Sequence, residues 1–145
     1  MEILFTTTEY PTSKLIRKLT GEDVSHCAIK VGEFVIHSNF FGVIIEPYFK
    51  FVKTNKILYS VQMPTDQRTL RLALIRNYGK MYDYGAFFYI GFRLLFPKLL
   101  PKKNLWQNTG MFICTEFITD TLDQEEDSMI TPYQLYLRLK YRIER

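Results

Sequence analysis

The chain has 145 residues, 47% of them hydrophobic and 16% aromatic, enough for one hydrophobic core, so a single domain over residues 1–145 is expected and disorder is excluded. The net charge of +4 is spread along the sequence with no nucleic-acid motif beside it, so nucleic-acid binding is not expected. The start, Met-Glu-Ile-Leu-Phe-Thr-Thr-Thr, lacks the basic and apolar regions of a secretory leader, which predicts synthesis in the cytoplasm without a signal peptide.

Ile3 to Thr7 reads as a strand, followed by a helix capped by Thr12 or Ser13 that carries Leu15, Ile16 and Leu19 and stops at Gly21. Val24 to Val31 and Phe34 to Ser38 are β-rich runs separated by Gly32-Glu33, and glycine at the first loop position suits a two-residue hairpin. Gly42 to Glu46 and Lys56 to Gln62 read as further strands.

From Pro64 the pattern turns helical, with Thr65 as N-cap and Leu70, Leu72, Ala73, Leu74 and Ile75 up to Gly79. Asp83 can cap an aromatic helix from Tyr84 to Phe96, and Lys98 to Gly110 reads as loop. The apolar run Tyr84 to Leu100 contains Arg93, Pro97 and Lys98 and falls short of the ~20 apolar residues of a membrane span, so no transmembrane segment is expected. A helix begins near Cys114, with Phe117, Ile118 and Leu122 on its stripe, and a last helix starts at Thr131-Pro132. The basic cluster of Lys98, Lys102 and Lys103 and the acids from Glu116 to Asp127 read as solvated surface. Strands early and helices late predict an α+β fold, an antiparallel sheet packed against several helices.

Two cysteines and two histidines bound the candidate chemistry. If Gly32 and Glu33 form the hairpin loop, Val31 pairs with Phe34, Ala28 lies opposite His37 and His26 opposite Asn39, so both histidines share one face. Their diagonal offset of about 7–8 Å between backbone positions is one that two imidazoles can bridge. Cys27 falls on the other face, with Ile29 and Val31, and reads as a buried structural thiol. Cys114 stands at a helix start, where the dipole and free N–H groups favour a thiolate and can hold an oxyanion. It also lies on the apolar stripe of its own helix, so spacing leaves a core cysteine and a nucleophile both open. His26, His37 and one cysteine make only three metal ligands, without the fourth that structural zinc needs, and no cofactor is expected.

At these residues the chain resembles the circularly permuted members of the NlpC/P60 papain-like superfamily, relatives of the lecithin retinol acyltransferase-like thiol enzymes. The likeness rests on Ser25-His26-Cys27-Ala28-Ile29, on the following strand with His37, on Gly42-Val43, on Gly79-Lys80-Met81-Tyr82-Asp83-Tyr84, and on Phe112-Ile113-Cys114-Thr115-Glu116-Phe117. Thr131-Pro132 and the final helix fit as well.

The resemblance implies that Cys114 is the nucleophile, His26 its base and His37 the orienting residue, where many members carry Glu. Tyr82 would lie near the cleft as a candidate substrate contact. The implied activity is that of a cysteine peptidase or amidase on cell-wall peptides, and the short chain without a leader or wall-binding module suits a phage-encoded protein. The alternatives are a lipid-directed thiol acyltransferase or phospholipase, implied by His37 and the aromatic helix, and a binding or virion protein that keeps the fold without turnover.

Overall fold

The structure is a computed structural model, described over residues 1–39, 41–64, 67–78, 80–82, 111–112, 114–122 and 130–143. Gly79, Asp83, the expected aromatic helix from Tyr84 to Phe96 and the expected loop from Lys98 to Gly110 lie outside these residues, as does the side chain of Tyr82.

The first half of the chain forms a five-stranded antiparallel sheet of order β4-β3-β2-β1-β5. Its strands are β1 (Glu2–Thr7), β2 (His26–Val31), β3 (Phe34–Asn39), β4 (Gly42–Pro47) and β5 (Lys56–Gln62). β2 begins two residues later than Val24, because Ser25 already spends its N–H on the Thr6 carbonyl at 3.0 Å and the regular ladder to β1 opens at Thr6↔His26.

The hairpin forms with Val31 opposite Phe34 and Ile29 opposite Ile36. Gly32 has φ +56°, the left-handed conformation that the first position of such a loop requires and that costs glycine little.

Side chains alternate across the strands, so the sheet has two packed faces. Ile3, Phe5, Cys27, Ile29, Ile36, Val43 and Val61 form one face, and they meet Leu70, Cys114, Phe117, Ile118, Leu135 and Leu139 from the helices. Leu4, Ala28 and Val35 form the other, covered by Phe51. Each large side chain fully buried here contributes roughly 1.5–3 kcal/mol.

Helix α1 (Pro11–Thr20) starts with proline at its first turn, and its N-cap is Tyr10, which makes no side-chain cap bond. Thr12 and Ser13 therefore do not cap it. Proline presets φ and has no N–H to satisfy, and the Ser13 hydroxyl instead accepts the Thr8 N–H at 3.1 Å. Gly21, at φ 71°, ends α1 by donating its N–H to the Arg17 carbonyl.

Helix α2 (Tyr48–Phe51), a single turn with no readable period, places Phe51 under the second face. Helix α3 (Gln67–Asn77) buries Leu70 and leaves Leu72 and Ile75 exposed. Two short strands, β6 (Met81–Tyr82) and β7 (Met111–Phe112), pair in parallel, and the Lys80 carbonyl accepts the Val43 N–H at 3.0 Å. That bond sets the pair beside β4, immediately before Cys114.

Helix α4 (Cys114–Thr121) has the sequence CTEFITDT, a poor helix former. Thr119 and Thr121 turn their hydroxyls back onto the carbonyls of Glu116 and Phe117. Burial of Cys114, Thr115, Phe117, Ile118 and Thr121 holds the helix, rather than local propensity.

Helix α5 (Pro132–Ile143) opens on a reciprocal cap. The Gln134 N–H donates to Thr131 Oγ1, and the Thr131 N–H donates to Gln134 Oε1, both at 3.2 Å. Thr131→Ala is expected to lower unfolding stability by about 1 kcal/mol, read as a shift of the urea midpoint at unchanged slope. No helix among the described residues is long and apolar enough to cross a membrane.

Candidate functional site

His26 opens β2 at the end of the sheet, and His37 stands on the same face of neighbouring β3. His26 Nε2 lies 3.1 Å from His37 Nδ1, with the rings edge to face at 5.2 Å. The face sharing expected from the hairpin thus places the two histidines in contact.

The other His37 nitrogen, Nε2, lies 3.0 Å from Glu46 Oε1, and the His37 ring packs edge-on against Phe51 at 5.1 Å. His37 is 5% exposed. Burial, and then the positive charge of His26, lower its pKa to about 3, so it is neutral at physiological pH. A neutral imidazole here can relay and orient but carries no charge of its own.

Cys114 is the first residue of α4 and reaches the same end of the sheet. Hydrogen bonding from the Cys27 thiol holds its pKa well below the ordinary thiol value, aided by a hydrogen bond and positive charge from His26, against burial that acts the other way. Cys27 shows the complementary effect: burial first, and then Cys114, push its thiol well up. Of the two thiols, Cys114 is therefore the one that gives up its proton more readily, and Cys27 the one that keeps it. Both cysteines are free of disulfides. With Nε2 of His26 engaged by His37, Nδ1 is the nitrogen left for the Cys114 thiol.

Cys114 belongs to the core cluster through its helix stripe and also lines a cleft, so the core and nucleophile readings describe two sides of one residue. The cleft has a volume of about 550 Å³, within the range of small-ligand sites. His26, His37 and Cys114 share it with Ser13, Ser25 and Asn55. Tyr10 and Phe41, both exposed, stand on turns at its margin. Ser25, adjacent to His26, is fixed by hydroxyl contacts to Ser13 and to Thr7, and Arg17 donates to the Thr7 hydroxyl at 2.6 Å. This network locks the entry to β2 against α1.

All three residues expected to carry chemistry, Cys114, His26 and His37, are brought together. Tyr82 lies on β6, close in sequence to the Lys80 bond with β4. Sequence reasoning missed Glu46, and it missed that Cys27 would share a core cluster with Cys114 and bear on its thiol. Glu46 was accessible in principle: His37 pairs with Ile44, so Glu46, two residues on, lies on the same face diagonally from His37. Among the described residues, no group of three or more His, Cys, Asp or Glu is arranged to hold a metal ion.

Compared with known proteins, the chain matches no family model and no curated protein.

Proposed function

We propose that the chain is a cysteine hydrolase of peptide or amide bonds on a circularly permuted NlpC/P60 papain-like fold. The observation that carries this reading is that Cys114, at a helix start, lines one cleft with His26, itself held by His37. Nucleophile, base and orienting group are the set that acyl transfer needs.

In the reaction, His26 takes the Cys114 proton on Nδ1 and the sulfur attacks the substrate carbonyl. The developing oxyanion faces the N–H groups at the start of α4, which have no partner within the helix. The C–N bond then breaks as His26 returns its proton to the departing amine, leaving a thioester on Cys114. Water attacks that thioester with His26 again as base, releasing the acid and restoring the thiol. Cell-wall peptides are the proposed substrates, from the family resemblance.

A second reading, lipid-directed acyl transfer, is favoured by histidine rather than glutamate at position 37 and by the exposed aromatic rings of Tyr10 and Phe41 at the cleft. Both readings predict a covalent adduct on Cys114. Rapid acid quench after mixing with peptide amides or with short-chain phospholipid, followed by intact-mass measurement, is expected to show an acyl increment that Cys114→Ala does not acquire. An increment from the peptide supports the hydrolase, and one from the lipid supports the transferase. Full turnover of either substrate by Cys114→Ala would rule out the mechanism.

A further inference from the structure

A neutral imidazole carries one N–H and one lone pair, so a row of hydrogen-bonded histidines has a direction, and some group must set it. The row here runs from Glu46 Oε1 to His37 Nε2 at 3.0 Å, and from His37 Nδ1 to His26 Nε2 at 3.1 Å. A carboxylate only accepts. It therefore selects the His37 tautomer with hydrogen on Nε2, because the other tautomer would turn a lone pair against the carboxylate.

With that hydrogen on Nε2, His37 Nδ1 must accept, and His26 must donate from Nε2. The lone pair of neutral His26 is then on Nδ1, the nitrogen available to the thiol. In the reverse order, neutral His26 would carry its hydrogen on Nδ1 and could not take the Cys114 proton.

Glu46 is well placed to act in this way. Its strand register puts it diagonal to His37, its side chain is 15% exposed, and Lys50 Nζ lies 3.8 Å from its other oxygen. Phe51 covers the His37 ring, so the carboxylate is the acceptor that His37 Nε2 meets.

We propose that Glu46 is a positioning residue: its carboxylate fixes the tautomer of His37 and so makes His26 a proton acceptor toward Cys114. The catalytic consequence rests on the hydrolase reading, whereas the tautomer does not.

The chain has only two histidines, which makes nitrogen–proton correlation spectra of the ¹⁵N-labelled full chain at neutral pH directly readable. His37 is expected to show its hydrogen on Nε2 alone, and Glu46→Ala is expected to lose that single form. Should Glu46→Ala fail to fold, Glu46→Gln removes the charge while keeping the shape, and is expected to give a mixture of tautomers. In either variant, iodoacetamide alkylation of Cys114 at about pH 6 is expected to slow by about tenfold, the effect of a one-unit rise in thiol pKa.

Hydrogen on Nδ1 of His37 in the wild type, or an Nε2–H form unchanged in the folded variants, overturns the proposal. A wild-type Cys114 that does not alkylate, with the tautomers as expected, instead defeats the hydrolase reading and leaves the assignment of Glu46 standing.

Discussion

Iodoacetamide is expected to modify Cys114 of the folded wild-type protein well below pH 8.5, the approximate pKa of a free thiol, while Cys27 stays unmodified until the chain is unfolded. Only a thiolate attacks the reagent, so the pH dependence of the rate reports the thiolate fraction of each cysteine. At Cys114, hydrogen bonding from Cys27 and then from His26, with the His26 charge, lowers the pKa. Cys27 is wholly buried and its thiol is held well up, which makes it an internal control in the same molecule.

In His26→Ala the hydrogen bond and charge from the imidazole are gone and that from Cys27 remains. The Cys114 profile is therefore expected to move to higher pH without reaching that of Cys27. Below the thiol pKa, each unit of this displacement slows alkylation about tenfold at fixed pH. Peptide mapping by mass spectrometry assigns the label to one cysteine or the other. Slow alkylation of Cys114 that His26→Ala leaves unchanged would make the cysteine structural and would favour a binding protein that keeps the fold without turnover.

The parts of this site governed by local periodicity were legible in the sequence. The alternation around Gly32-Glu33 placed both histidines on one face and Cys27 on the other, and the observed register agrees where the hairpin pairs. The strand Lys56 to Gln62 has the bounds that its β-rich composition implied. Where two local signals compete, proline decides: Thr12 and Ser13 have cap chemistry, yet Pro11 fixes the start of α1.

Other features depend on relations between elements that no local pattern carries. Facing the opposite side of β2 from His26 makes Cys27 look remote from the chemistry. His26 and Cys27 are, however, the first two residues of the strand, and α4 brings Cys114 to that end of the sheet, where it shares the core cluster with Cys27 and the cleft with His26. Glu46 required the register of β3 on β4, with Asn39 opposite Gly42 and His37 opposite Ile44, before its distance from His37 had any meaning. Helix α2 is too short to show a period, and its Phe51 backs the His37 ring.

Acidification from pH 6.5 is expected to destabilise the fold through His37, independently of any catalytic role. Its pKa falls from an ordinary 6.5 to about 3 in the folded protein, burial being the main cause. Between these values the unfolded chain binds a proton that the folded chain refuses. Stability is therefore fully present above about pH 6.5 and is lost as pH falls toward 3, at up to about 1.4 kcal/mol per pH unit. The loss between pH 6.5 and pH 5 is then about 2 kcal/mol.

Glu22 acts in the opposite direction, since burial raises its pKa above 4.5, so its protonation favours the folded state as pH falls. It therefore offsets part of the loss, most strongly toward the acid end of the window. His37→Gln has no group that titrates in this range. It is expected to be less stable than wild type at pH 7, having lost the fitted imidazole, and to show a flatter decline toward pH 5. Urea unfolding of both proteins at pH 7, 6 and 5 measures the difference in slope. Parallel declines would mean that His37 is not held neutral by burial, and equal stabilities at pH 7 would mean that its contacts with His26 and Glu46 contribute nothing net to the fold.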